Sequence, residues 1–186
     1  RLDLAGCNRA TLESLSENLS DGVVSPLIWL TLVGIPGMLA FKVISTMDSM
    51  VGYRNSRYLR FGWFGARADD LMNWVPARLT WVLLSISAWV LPGYDGRMAW
   101  SIGLSQHQYM SGPNAGWAQA ASAGALRVQL VGEKWKNGRL QHNAWLGHSD
   151  DPAQVGADSI ARLIRLNRYA TLLLLVILSL LITVFN

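Results

Sequence analysis

Of the 186 residues, 51% are hydrophobic and only 15% charged, against roughly 25% charged in ordinary soluble domains. The net charge of +4 comes from scattered basic residues, which excludes a polybasic nucleic-acid arm and suits loops beside anionic lipid or an anionic substrate. Nine Trp favour a membrane–water boundary, and the single cysteine, Cys7, excludes an internal disulfide and a Cys-based metal cage.

The chain starts at Arg1 with no secretory signal pattern after it, so it reads as a fragment or a processed product. The first chemical signal is Glu13-Ser-Leu-Ser-Glu17-Asn18-Leu-Ser-Asp21-Gly22. Glu13, Glu17 and Asp21 recur at i, i+4 and i+8, so a helix puts them on one face, where like charges repel and need a cation, a counter-charge or water. A solvated face is the plain alternative, but this row runs straight into an apolar segment.

That segment, 23–47, is broken by Gly34-Ile35-Pro36-Gly37. Each half is roughly 15 Å of helix, half a hydrocarbon core, so the spacing predicts a kinked span or a re-entrant hairpin, the hairpin being preferred. Asp48-Ser-Met-Val-Gly52-Tyr53-Arg54 follows. Its glycine permits a tight turn, and a hydroxyl and a guanidinium stand beside Asp48. In Ala66-Arg67-Ala-Asp69-Asp70-Leu-Met-Asn73-Trp74-Val-Pro-Ala-Arg78, arginines bracket the acids, and Asp69 shares a helical face with Asn73. A self-neutralised surface network would look the same.

Residues 79–92 form a third apolar stretch, marginal for a crossing and stopped by Pro92-Gly93. Residues 98–157 read as polar and partly irregular. Within them Ser111-Gly-Pro113-Asn114-Ala-Gly-Trp117 predicts a turn and a helix start whose free N–H groups suit an anion. The Ala-rich Trp117–Leu126 predicts a helix, and Leu126, Val128 and Leu130 alternate as a strand would. Asn137-Gly138 predicts the turn of a small β-hairpin. His107, His142 and His148 lack metal-ligand spacing. Finally, 169–185 is a charge-free apolar run within the about 17–25 residues that span a bilayer. Asp158 is placed to cap the helix leading into it, and Arg162, Arg165 and Arg168 mark its cytoplasmic boundary.

There is no Walker loop, His-Glu-x-x-His or Gly-x-Ser-x-Gly motif. Carboxylates, arginines and an anion-ready turn on short polar segments beside a bilayer instead suit an anionic substrate with a divalent metal and a nucleotide.

At these residues the chain resembles the adenosylcobinamide-phosphate synthase family of cobalamin biosynthesis. The matching strings are Glu13-Ser-x-x-Glu17-Asn18-x-x-Asp21-Gly22, the uninterrupted Asp48–Arg54, Ala66-Arg-x-Asp-Asp70 with Asn73 and Pro76-Ala-Arg78, and Pro113-Asn114 with Trp117. Ala123–Leu126 and Trp145–Gly147 also fit. The family's members carry a further apolar N-terminal portion, so this chain corresponds to their C-terminal part. Gln119 stands where the family motif has Glu, an exchange of a titratable group for an amide.

The resemblance implies a mainly α, multi-pass protein of the bacterial inner membrane, forming one membrane-embedded domain with its motifs facing the cytoplasm. It implies ATP- and Mg²⁺-dependent amide formation between adenosylcobyric acid and aminopropanol phosphate or ethanolamine phosphate, in the company of other corrinoid-pathway membrane proteins. On this basis Glu13, Glu17, Asn18, Asp21, Asp48, Tyr53, Asp69, Asp70 and Asn73 are candidate catalytic residues. Glu17, Asp69 and Asp70 are candidate Mg²⁺ ligands, and Arg54, Arg67, Arg78, Asn114 and Trp117 candidate substrate or phosphate contacts. Two other readings compete. One is a non-catalytic membrane regulator on the same scaffold, resembling a regulator of β-lactamase induction. The other is a small-molecule transporter, disfavoured because the charges sit outside the long apolar runs, Lys42 excepted.

Overall fold

A computed structural model describes residues 4–51, 61–136, 139–141 and 143–185. Tyr53, Arg54, the Asn137-Gly138 turn and His142 lie outside the described residues. The described chain is mostly helical: α1 (Leu4–Leu19), one turn of π-helix (Ser20–Val24), α2 (Ser25–Val33), α3 (Ile35–Val51), α4 (Phe61–Met72), α5 (Trp74–Val90), α6 (Gly96–Gln106), α7 (Ala115–Leu126) and α8 (Ala157–Phe185). Four short strands sit between α7 and α8: β1 (Leu130–Val131), β2 (Lys134–Lys136), β3 (Arg139–Gln141) and β4 (Trp145–Leu146). β2 pairs antiparallel with β3, Lys136 opposite Arg139, as a hairpin closing at 137–138 requires. β1 pairs with β4 just outside it.

The core is built on α7, whose residues from Gly116 to Leu126 are all buried. Its Ala and Gly side chains let neighbours come close; a Cβ at Gly124 would run into the Met98 carbonyl of α6. Against α7 lies α5, burying Ala77, Trp81, Leu83, Leu84 and Ala88. The apolar run at 79–92 is thus the interior helix of this bundle. Polar locks hold the shell. Arg127, in the left-handed conformation at the end of α7, pairs with Asp151 at 3.0 Å and with Asp95, the N-cap of α6, at 3.1 Å. Arg162 donates to the Gly93 carbonyl at 2.6 Å, while the Tyr94 hydroxyl donates to the Arg162 carbonyl at 2.8 Å.

Several expectations need correction. The stretch 98–157 is less irregular than expected: besides the Ala-rich helix, α7, it holds most of α6, which packs one face into the core. α6 went unread because its buried face is Ala99, Ile102 and Gly103, residues too small to give a clear hydrophobic period. Leu126 ends α7, and only Leu130 and Val131 of the alternating stretch enter a strand. Asp158 falls inside the first turn of α8, where its charge suits the helix dipole, and not at the cap.

The break at Gly34 does turn the chain back. Gly34 takes φ +77°, and a Cβ at Gly37 would meet Val33 and lie 2.9 Å from the Trp29 carbonyl oxygen, so α2 and α3 close tightly on each other. α8 behaves differently. Its 29 residues would extend about 43 Å. It is the one described helix long and apolar enough to cross a membrane. Its second half exposes Leu172, Leu175, Val176, Leu180, Leu181, Ile182 and Val184, whereas a core helix would bury them.

Candidate functional site

The π-turn after α1 ends in Ser25, whose hydroxyl donates to Asn73 Oδ1 at 2.6 Å. Asn73 is buried at the joint between α4 and α5, and its amide donates to Asp69 Oδ2 at 3.1 Å. Trp29 of α2 donates its indole N–H to the Met72 carbonyl at 3.3 Å. These bonds clamp the start of the α2–α3 hairpin onto the α4–α5 joint. The other end of α3 meets α4, since Gly65 faces the backbone of Met47 and Asp48. Asp21, Asp48, Asp69 and Asp70 therefore gather in one place, from three separate elements. Asp69 feels the charges of Asp21, Asp48 and Asp70, and Asp21 that of Asp48. A straight helix between positions 21 and 48 would hold these two about 40 Å apart, so the fold-back creates the cluster.

Partial burial and this mutual repulsion push Asp69 up to about 6, with the Asn73 hydrogen bond pulling the other way. Asp21 also rises to about 6, because protein crowds its carboxylate although the side chain keeps solvent access; Glu17 and Asp48 add repulsion. Asp70 is raised too, first by burial and then by Asp48, against the nearby Arg67 guanidinium at 3.7 Å. Asp69 Oδ1 is buried and has no hydrogen-bond partner.

An aromatic wall adjoins the cluster. Asn114, which opens α7, donates to the Asp70 carbonyl at 2.8 Å. Trp117, one turn on, stacks on His107 with ring centroids 3.7 Å apart. Arg78 lies over the Trp74 ring at 4.0 Å and the Trp117 ring at 5.0 Å, held by its own hydrogen bond to the Trp74 carbonyl. The Trp117 indole N–H and Asn114 Oδ1 are buried without partners. The structure thus brings together the acids of the 48 and 66–78 motifs, Asp21, and the Asn114–Trp117 turn.

Three residues of the first motif point elsewhere. Glu13 Oε1 accepts from the Val131 N–H at 3.1 Å, where Val131 is buried at φ +66°. Glu17 Oε1 accepts from Gln119 Nε2 at 2.6 Å, tying α1 to the centre of α7. Asn18 donates to Ser14 and lines a groove against α8. Among the described residues, no three carboxylate, imidazole or thiol groups converge to metal-ligating distance. Mg²⁺ is commonly bound through one or two carboxylates with water and substrate phosphate, and Asp70 and Asp69, the latter with a buried oxygen that has no hydrogen-bond partner, are donors of that kind. Sequence reasoning missed Ser25, which has neither a charge nor a motif spacing to mark it, and marked Gln119 only as an exchange for the family's Glu, not as the partner of Glu17.

The class so defined is a helical bundle with one helix long and apolar enough to cross a membrane and a cluster of aspartates beside an Arg–Trp wall. The particular family follows from comparison: residues 1–167 match the CobD/Cbib protein family, and the chain belongs to it. It is 41% identical over 180 residues to the cobalamin biosynthesis protein CobD of Yersinia enterocolitica, covering 97% of this chain and 56% of that protein. It is 52% identical over 124 residues to the protein of the same name from Geobacter metallireducens, covering 67% and 39%. To the Citrobacter koseri protein of that name it is 42% identical over 168 residues, covering 90% and 52%. The chain thus spans about half the length of these relatives, whose names assign them to cobalamin biosynthesis. No solved structure matches it.

Proposed function

We propose that this chain supplies the catalytic cleft of an adenosylcobinamide-phosphate synthase, which joins a carboxylate of adenosylcobyric acid to the amine of aminopropanol phosphate or ethanolamine phosphate with ATP. The convergence of Asp21, Asp48, Asp69 and Asp70 carries the reading. Such a carboxylate is unreactive towards amines, so the γ-phosphoryl group of ATP first moves to its oxygen and ADP leaves. The amine nitrogen then attacks the acyl carbon, phosphate departs, and the amine must lose a proton. Mg²⁺, when bound, would neutralise phosphate charge.

The residues then divide by chemistry. Asp69 and Asp70 would hold the cation, while Glu17, engaged by Gln119, stays outside that pair. Asp21, raised to about 6, can take a proton near neutral pH, the range a general base needs. Arg67 and Arg54 serve the phosphates. Arg78, clamped over Trp74 and Trp117, presents a fixed cation beside an indole N–H that still seeks an acceptor. On this reading α8 crosses the bacterial cytoplasmic membrane, and the α2–α3 hairpin dips into it and returns. The apolar surface at the hairpin tip supports the second point, since Leu32, Val33 and Ile35 are more than half exposed there. The acids then stay on the cytoplasmic side, where ATP is.

The test uses the full-length protein in membranes with adenosylcobyric acid, aminopropanol phosphate, Mg²⁺ and ATP, read by mass spectrometry for the conjugated corrinoid. Product should form and depend on ATP, and Asp70→Ala and Arg54→Ala should abolish it. Full turnover by both variants would refute the site assignment; no product from folded protein would refute the reaction.

A further inference from the structure

The groove bordered by Asn18 belongs to neither the acid cleft nor the aromatic wall. It runs between α1 with its π-turn and the middle of α8, with a volume of about 540 Å³. Its walls are apolar: Leu15, Leu19 and Val23 on one side, Ile164 and Leu172 on the other. Its polar lining residues are Asn18, Asn167, Thr171 and the exposed Arg168. Arg168 is the last charge before the apolar run of α8. The groove therefore straddles the level at which a membrane-crossing α8 would pass from headgroups to hydrocarbon.

We propose that this groove seats one acyl chain of an anionic glycerophospholipid, with the lipid phosphate on Arg168. The proposal rests on the reading that α8 crosses a membrane. Charge complementarity selects the occupant. No described acidic side chain forms an ion pair with Arg168, and a phosphodiester answers a guanidinium bidentately. A protein helix could fill the groove but would leave Arg168 to water; a phospholipid brings anion and apolar chain in one molecule. Asn167 adds a second signal. Its amide donates to the Leu15 carbonyl at 3.1 Å, bridging α8 to α1, while its Oδ1 is buried with no donor. The free headgroup hydroxyl of phosphatidylglycerol can supply that donor. A lipid in this position would brace α1, which carries Glu17 and leads into Asp21, against the membrane helix.

The experiment places the full-length protein in nanodiscs of phosphatidylglycerol or phosphatidylcholine and counts retained lipid by native mass spectrometry. Wild type should keep one phosphatidylglycerol in preference to phosphatidylcholine. Arg168→Gln should cut that preference about fivefold, the worth of one basic side chain at a lipid surface. Val23→Trp, which fills the groove and leaves Arg168 in place, should remove the bound lipid, whereas Arg97→Gln on α6 should change nothing. Retention indifferent to both Arg168→Gln and Val23→Trp, in a protein that resists carbonate extraction, would overturn the lipid seat alone. Release of the wild type by carbonate would overturn the membrane crossing, and the lipid seat with it.

Discussion

Asn73→Ala tests whether the cleft is held by the clamp described here. The side chain is 1% exposed and makes two hydrogen bonds, one accepted from Ser25 and one donated to the Asp69 carboxylate. A neutral buried bond is worth about 1 kcal/mol and one to a charged group about 1.5–3. The variant should therefore lose about 2–4 kcal/mol, or roughly 5–10 °C of melting temperature for a domain of this size. pH separates the charged part from the rest. With Asp69 at about 6, its carboxyl is largely ionised at pH 7.5 and protonated at pH 5. Since this value lies above that of the unfolded chain, 3.8, Asp69 favours the folded state most below about pH 4, and that contribution is lost as pH rises through 6. Removing the Asn73 donor raises the carboxyl further, so the loss should be larger at pH 7.5 than at pH 5 by about 1 kcal/mol. Thermal unfolding followed by tryptophan fluorescence at the two pH values measures this. An equal loss at both would refute the claim that Asn73 acts on the Asp69 charge.

Three other substitutions probe neighbouring claims. Glu13→Gln keeps an acceptor for the Val131 N–H and should leave product formation near wild type, while Glu13→Ala strands that buried N–H and should cost about 1–3 kcal/mol in unfolding experiments; loss of turnover in the Gln variant with full stability would instead put Glu13 in the chemistry. Gln119→Glu sets a second carboxyl where an amide now lies 2.6 Å from Glu17, so the pair must share a proton. Its melting temperature should match wild type near pH 5 and fall clearly below it at pH 8, and parallel pH profiles would count against the contact. Gly37→Val should open the α2–α3 turn by collision with Val33 and the Trp29 carbonyl, costing about 1–3 kcal/mol as overpacking does; an unchanged melting temperature would mean the two helices are not closed there.

Much of the fold was legible wherever a local physical rule decides it. The break at Gly34–Gly37 announces itself because only glycine adopts the φ of +77° found at position 34 without strain. The length of α8 and the antiparallel pairing around 137–138 are equally local. The illegible parts turn on size and distance. α6 buries small side chains, and its periodicity is too faint to see. The row Glu13–Glu17–Asp21 reads as one functional face, yet its first two members are engaged with Val131 and Gln119, which are more than a hundred residues away in sequence. Helical spacing shows which side chains share a face and is silent on what that face meets.

That distinction bears on how the acids can work. Glu17, half-buried, is restrained by a short hydrogen bond from an amide that is itself immobile in the core. Asp21, the second residue of the π-turn, lies one helical turn further on, and π-turns are a common way to redirect a helix at a functional site. Extra backbone in that turn swings the chain from the α7 core, which Glu17 faces, towards α3 and α4, whose carboxylates Asp21 faces. The same turn delivers Ser25 to Asn73, and Asn73 to Asp69. One backbone irregularity thus couples the rigid centre of the bundle to the acidic cleft. Were residues 20–24 wound as regular α-helix with no residue removed, everything after them would turn by about one residue's 100° around the axis. Asp21 and Ser25 could not then both keep their partners.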